Sequence, residues 1–225
     1  MAPATGETLT LVERGPYPRS PVVERDSLTD TLALLQRALD QTQAIIAGIR
    51  PDQADLSTPC GEWDVRRLVA HLAPRGLGNF TVAARGEMPD WQAPAIDPGS
   101  DWGATFASAA HTLMETWRHA DLDRPVPIPG GGEAPLRGRA DQQIAELAVH
   151  GWDLARATGQ ALNVLDPTVA GHALAWARQR LRPEHRGPRR AFAAEVAVAD
   201  DAPVQDRLAG WFGRDPRWTA AVPQE

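Results

Sequence analysis

The most informative stretch of the chain runs from residue 140 to residue 159 and reads ADQQIAELAVHGWDLARATG. Apolar and small residues recur in it every three or four positions, which is the spacing of a helix with one buried face. This stripe consists of Ile144, Leu147, Ala148, Gly151 and Ala155. Gly159 follows as a residue suited to the left-handed conformation that ends many helices. The spacing therefore predicts an amphipathic helix over residues 140–158.

Several other segments show helical periodicity, and little of the chain favours strands. Helices are predicted over 27–49, from Val65 after the N-cap Asp64, over 101–119 after the N-cap Ser100, from Pro167 to about Leu181, and over 202–212. Residues 86–100 and 124–139 are rich in Pro and Gly and predict loops, the second with room for a short extended pair. A short extended run is predicted over 195–198. Four long helices and little strand favour an all-α helix bundle.

The composition of the 225-residue chain excludes several classes of function. All 23 basic residues are Arg, which excludes a Schiff-base lysine, a pyridoxal-phosphate anchor and a P-loop lysine. The net charge of −6 argues against a nucleic-acid or anionic-membrane surface. The single cysteine, Cys60, rules out an internal disulfide framework and favours a cytoplasmic location. No apolar run is long enough to span a membrane and no signal peptide opens the sequence, so we expect neither a membrane nor a nucleic-acid partner.

Three residues are candidates for metal chemistry. Glu146 and His150 are four residues apart, so a helix projects both side chains from one face, at the margin of the apolar stripe. His71 lies at the margin of the stripe of the second helix, about 60° around the axis from Leu68. Two such helices packed side by side would bring one carboxylate and two imidazoles together. That set suits a catalytic zinc with an open position, and it also suits other divalent ions.

The spacing alone leaves a simpler interpretation open. A Glu and a His four residues apart also occur as a hydrogen-bonded pair without a metal, and a histidine near the core is usually a satisfied polar residue.

Longer motifs around these residues resemble a known family. Residues 58–72, TPCGEWDVRRLVAHL, resemble the first metal motif of the mycothiol-dependent maleylpyruvate isomerase-like, DinB-related proteins. Residues 146–159 resemble the second motif, and residues 198–216 resemble the C-terminal end of that family. The resemblance implies an all-α, antiparallel four-helix bundle (DinB-like) with a short α/β C-terminal extension. It also implies a divalent metal, expected to be Zn²⁺, at positions matching His71, Glu146 and His150.

The sequence pattern and the resemblance together predict a domain organisation, although the family usually lacks an N-terminal arm, which is predicted here from prolines without a clear period. We expect an extended N-terminal arm over 1–24, a metal-binding four-helix-bundle domain over 25–182, and a small C-terminal extension over 183–225. The protein is expected to be a monomer or a homodimer.

The characterised members of the family imply a function. The expected enzyme uses its metal to activate a small thiol, mycothiol or a similar cosubstrate, for addition to an electrophilic small molecule, which gives isomerisation or S-transfer. One alternative keeps the fold and the metal but needs no thiol, and acts as a Lewis-acid cyclase, lyase or hydrolase. Another alternative is a non-catalytic metal- or ligand-binding module.

Other side chains are candidates for supporting roles. Arg75, Arg139 and Arg156 are candidates for binding a cofactor or a substrate carboxylate. Asp153 and Glu62 are candidates for holding the histidine ligands in one tautomer.

Two further features belong to the region of the second helix. Cys60 is interpreted as a small packing residue rather than a nucleophile or a fourth ligand. Pro74 follows His71 by three residues, where family members often have a Gly-Gly-Asn-like sequence. Because proline lacks an N–H and disfavours helix at the preceding residue, we predict that the helix ends or kinks within a residue or two of Ala73. The altered wall beside the metal favours the thiol-independent alternative.

Overall fold

The fold is described from a computed structural model of the chain. The structure describes residues 24–61, 63–94, 96–127, 132–181, 186–187 and 193–220, with the side chains of 24–30 left out. The predicted arm over 1–24 lies outside these residues apart from Glu24, at which the first helix begins.

Seven helices and one pair of short strands make up the described chain. In chain order they are α1 (Glu24–Ala47), α2 (Val65–Ala70), a π-helical segment (His71–Leu77), α3 (Gly78–Ala84), α4 (Trp102–Arg118), β1 (Pro125–Pro127), β2 (Glu133–Pro135), α5 (Arg137–Thr158), α6 (Pro167–Arg180) and α7 (Val204–Trp211). Short 3₁₀ turns lie at Pro51–Gln53 and Leu162–Val164. The predicted all-α bundle is therefore confirmed, with the extended pair inside the α4–α5 connection.

The bundle forms because each long helix buries one apolar face. Helix α5 packs against α1 and α6, while α4 packs against α1 and against the helical region from α2 to α3. Large side chains with almost no exposed surface fill the space between them: Leu35, Leu39, Phe106, Leu113, Trp117 and Trp152. Helix α5 is buried along nearly its whole length, so polar residues on it face other helices rather than solvent. Among the described residues, no helix is both long enough and apolar enough to cross a membrane.

The α-helix after Asp64 is interrupted before Pro74, as predicted, but three residues before Ala73 and without the chain leaving helical geometry. The α-helical geometry stops at Ala70, a π-helical segment that contains Pro74 follows, and α-helical geometry returns at Gly78. Proline has no N–H to donate, and its ring collides with the carbonyl four residues earlier in an α-helix. Widening the turn accommodates this ring without ending the helix.

Gly76 permits the wide turn. A Cβ built on Gly76 would lie 2.8 Å from the carbonyl oxygen of His71, closer than a side chain tolerates. The glycine thus allows the backbone to pass close to the residue that begins the π-helical segment.

Helix ends follow the predicted caps with one exception. Asp64 accepts from Arg67 N and Asp166 accepts from Thr168 N, as expected for N-caps. Helix α4 is capped by Asp101, whose carboxylate accepts from Ala104 N at 2.8 Å, and the predicted cap Ser100 was wrong by one residue. Both residues are good N-cap types, and the longer acidic side chain reaches the amide three residues on.

The C-terminal segment lies against the bundle. Residues 193–199 have no regular secondary structure, so the short extended run predicted over 195–198 does not form a strand. Val196 N donates to Gly210 O at 3.0 Å, which holds this segment next to α7. Helix α7 packs on α6 and α5. The chain beyond α7 therefore passes close to the middle of α5.

Candidate metal centre

The structure brings His71, Glu146 and His150 together. His71 is the first residue of the π-helical segment, and Glu146 and His150 project from one face of α5. One carboxylate oxygen, Glu146 Oε2, lies 3.5 Å from His71 Nε2 and 3.3 Å from His150 Nε2. The ligand atoms of the three residues all lie within 4.8 Å of one another.

These separations fit a shared metal ion. A tetrahedral zinc with bonds of about 2.0–2.2 Å has neighbouring ligand atoms roughly 3.4 Å apart. The observed separations of 3.5 and 3.3 Å agree with that value, and they are long for hydrogen bonds to a carboxylate. Two imidazoles and one carboxylate also form the usual donor set of a site that leaves a position open for water or substrate. The three residues can therefore hold a divalent ion with an open position.

Burial and mutual contact set the charges of Glu146 and His71. Burial alone would raise the pKa of Glu146, but contacts with His150 and His71 outweigh it and lower this pKa to about 2. Burial lowers the pKa of His71 despite its contact with Glu146. The carboxylate is thus ionised at neutral pH and His71 is neutral, which are the forms that bind metals.

His150 is held from its other side by Asp153. Burial lowers the pKa of His150, but contacts with Asp153, Cys60 and Glu146 raise it well above its ordinary value. His150 Nδ1 lies 3.0 Å from Asp153 Oδ2. A proton on Nδ1 shared with Asp153 leaves Nε2 to face Glu146, so Asp153 fixes the ring orientation as the sequence had suggested.

Arg214 completes this chain of contacts and was not found from the sequence. Its Nε and Nη2 lie 3.2 and 3.1 Å from the two carboxylate oxygens of Asp153, whose side chain is fully buried. Burial would raise the pKa of Asp153, but Arg214 and His150 hold it below its usual range. In the sequence Arg214 is only an arginine just beyond the last helix, and no spacing between it and α5 predicts that the two meet.

Cys60 also contacts Arg214. The Nη2 of Arg214 lies 3.0 Å from Cys60 Sγ, and the cysteine is half-buried. The ligand atoms of Cys60, His150 and Asp153 also lie within 4.8 Å of one another and form a second group that could bind a metal. The Arg214 guanidinium, however, already supplies the positive charge that Asp153 needs there. Glu62 lies outside the described residues.

An aromatic ring covers both histidines. The centroid of the Trp63 ring lies 4.6 Å from that of His71 and 6.1 Å from that of His150. Trp63 stands just before the N-cap of α2, so the same loop that starts this helix also closes one side of the histidine pair.

A narrow pocket lies next to His71 and Glu146. It is lined by residues of the π-helical segment, α3, α5 and the loop at Trp91, among them His71, Arg75, Phe80, Gln143, Glu146 and Leu147. Its cavity volume is about 20 Å³, about the room of one water molecule, within about 390 Å³ of empty space that includes its mouth. Arg75 Nη2 donates to the carbonyl oxygen of Trp91, which draws the loop over this pocket.

The three predicted arginines have different surroundings. Arg75 lines the pocket beside His71. Arg139 is buried at the start of α5, where its guanidinium donates to Gln142 Oε1 at 3.0 Å and to Pro127 O at 3.2 Å. Arg156 lies over the Trp152 ring, with its Nη2 3.6 Å from Asp206 Oδ1. Arg139 and Arg156 therefore hold neighbouring segments together, and Arg75 alone of the three faces the pocket.

An all-α bundle that brings two histidines and a glutamate together, next to a pocket lined by His71 and Glu146, defines a class of helical protein suited to binding a divalent ion. The sequence model of the family described as "Mycothiol maleylpyruvate isomerase N-terminal domain" matches residues 35–155, which include all three candidate ligands. The chain belongs to this family.

The chain is also similar to two relatives and to solved structures. Two uncharacterized proteins of Mycobacterium tuberculosis, from strains H37Rv and CDC 1551, are each 32% identical to the chain over 194 residues, covering 84% of it and 100% of the relative. The crystal structure of a mycothiol-dependent maleylpyruvate isomerase is similar with a TM-score of 0.52 and 16% identity, covering 64% of this chain and 67% of that one. A mutant of that isomerase gives a TM-score of 0.52 at 15% identity. At these identities the structural similarity concerns the fold.

Proposed function

We propose that this protein is a divalent-metal-dependent enzyme that activates a small thiol of the mycothiol type for addition to an electrophilic small molecule. The observation that carries the proposal is the position of Glu146 Oε2, 3.5 and 3.3 Å from the two histidine Nε2 atoms, beside an open pocket. Family membership supports the thiol as cosubstrate. We propose Zn²⁺ as the ion, held by His71, Glu146 and His150.

A divalent ion bound there would supply Lewis-acid chemistry and would favour the thiolate form of a thiol next to it. The residues of the chain prepare the site for this chemistry. Asp153, paired with Arg214, orients the His150 ring and keeps its Nε2 directed at Glu146. Trp63 packs against both histidine rings and does not line the pocket, so it limits the freedom of the rings without blocking the pocket.

Arg75 gives the pocket a positive group. We propose that Arg75 binds an anionic group of the electrophile, such as a carboxylate, because a guanidinium can donate two parallel hydrogen bonds to it. In the structure Arg75 donates to the Trp91 carbonyl, so substrate binding would exchange this contact for a charged one. The exchange would also free the Trp91 loop and enlarge the narrow pocket.

The metal assignment is tested by elemental analysis of purified variants. We expect about one divalent ion per chain in the parent protein and its loss in His71→Ala and Glu146→Gln, because each change removes one of three ligands. His172→Ala is the matched control, since His172 pairs with Asp141 at 2.9 Å and belongs to neither ligand group. Equal metal content in all four proteins would refute the assignment.

The thiol is tested by turnover with maleylpyruvate as the first substrate and mycothiol as the cosubstrate. We expect turnover to require both the metal and the thiol. We also expect Cys60→Ser to remain active, because the attacking sulfur belongs to the cosubstrate. If a folded, metal-loaded Cys60→Ser protein shows no turnover, the nucleophile is Cys60 and not the cosubstrate thiol.

One observation favours a second function. A cavity of about 20 Å³ holds a water molecule but not a thiol and an electrophile together. A thiol-independent Lewis-acid enzyme, such as a lyase or a hydrolase, binds one organic molecule instead of two, so the narrow pocket would have to widen less for this function. Full turnover of an identified substrate in thiol-free buffer would establish this function in place of the first.

A further inference from the structure

Gln143 places an unpaired acceptor in the wall of the pocket. It lies on α5 three residues before Glu146, and both residues line the same pocket. Gln143 is only 2% exposed. No donor among the residues that the structure describes lies within hydrogen-bonding distance of Gln143 Oε1. A buried acceptor without a donor destabilises a folded protein, so its presence beside a pocket needs an explanation.

The neighbouring glutamine shows that burial on this helix does not by itself leave an amide unpaired. Gln142 is 1% exposed, and its Oε1 accepts from Arg139 Nη1 at 3.0 Å. The two residues have the same chemistry and nearly the same burial. They differ in that Gln142 Oε1 accepts from a protein donor, whereas Gln143 lines the pocket and its buried Oε1 has no donor among the described residues.

We propose that Gln143 Oε1 accepts a hydrogen bond from an N–H or O–H group of the bound ligand and thereby selects ligands that carry such a donor. The inference rests on the proposed function, because it takes the ligand to be a thiol held at His71, Glu146 and His150. Three residues of α-helix rise about 4.5 Å along the axis. Gln143 and Glu146 are thus less than one turn apart and line the same pocket, so a donor a few bonds from the sulfur of a thiol bound there would come next to Gln143. An amide N–H two carbons away from a thiol is such a donor.

The test uses two thiols that differ in one group. N-acetylcysteamine carries an amide N–H two carbons from its sulfur, and 2-mercaptoethyl acetate carries an ester oxygen at the same place. Each is titrated into the full-length chain loaded with Co²⁺, and binding is followed by the sulfur-to-cobalt charge-transfer absorption. We expect the parent protein to bind the amide about tenfold more tightly than the ester, since the ester leaves Gln143 unpaired.

Two glutamine variants separate recognition from structure. Gln143→Met keeps the side-chain size and removes the acceptor, so the variant should bind the amide and the ester with about equal affinity. Gln142→Met is the matched control and should keep the tenfold preference. In metal-free protein we expect the Tm of Gln143→Met to equal or exceed that of the parent, whereas Gln142→Met lowers it by leaving the buried Nη1 of Arg139 without its acceptor.

The outcomes distinguish this inference from the proposed function. Binding of both thiols with equal affinity by the parent, or an amide preference that survives Gln143→Met, overturns the role of Gln143 while thiol binding stands. A Tm for Gln143→Met as low as that of Gln142→Met would make Gln143 a structural residue. A parent protein that binds Co²⁺ but neither thiol overturns the thiol function and this inference together.

Discussion

The ion pair between Arg214 and Asp153 joins the C-terminal segment to the metal centre, and breaking it should be costly. The Asp153 side chain is fully buried, and that of Arg214 is only 12% exposed. Arg214→Met keeps most of the apolar stem and removes the guanidinium, which leaves the buried Asp153 carboxylate with His150 as its remaining charged partner. Removing one partner of a buried pair costs about 3–5 kcal/mol. Because the guanidinium retains slight exposure, we expect a loss near the lower end, about 3 kcal/mol.

The loss is measured by urea unfolding of metal-free protein at neutral pH. The double variant Asp153→Asn/Arg214→Met should regain most of the free energy of unfolding, since it leaves no unpaired charge. Arg217→Met is the control in the same segment, because the Arg217 side chain is 89% exposed, and we expect no measurable change. A loss below about 1 kcal/mol in Arg214→Met, or a double variant as unstable as the single one, would refute the reasoning.

Three further predictions follow from the geometry around the site. Gly76→Ala should destabilise the protein and weaken metal binding, because its Cβ would lie 2.8 Å from the His71 carbonyl oxygen. Gly78→Ala is the control, since its Cβ would meet nothing within 4 Å. Thermal unfolding and metal titration of the two variants check this. The metal-free protein should lose stability as the pH falls from about 4.5 towards about 2, because the pKa of Glu146 is lower in the folded than in the unfolded protein. Unfolding curves measured over this pH range should show that the free energy of unfolding of Glu146→Gln depends less on pH. Arg75→Gln should raise the KM of a carboxylate substrate about tenfold or more and change kcat less. An equal rise in the KM of an uncharged analogue would contradict the proposed recognition of the carboxylate.

Much of the helical architecture is local and was therefore readable from the sequence. The cap Asp166 and the stripe of α5 depend on contacts within one or two helical turns, and the structure confirms them. The shared face of Glu146 and His150 follows in the same way from their four-residue spacing. The π-helical segment around Pro74 was missed, because the sequence shows that an α-helical hydrogen bond is lost but not how the surrounding packing makes up for it.

What the sequence determined by itself was which side chains could share a helix face and which chemistry they could offer. The tertiary structure decided which of them meet. Arg75, Arg139 and Arg156 are alike in sequence terms, yet packing turns only Arg75 towards the pocket. Arg214 reaches Asp153 across 61 residues because α7 packs on α5. Such contacts depend on how helices pack against one another, and the periodicity of a single helix carries no information about that.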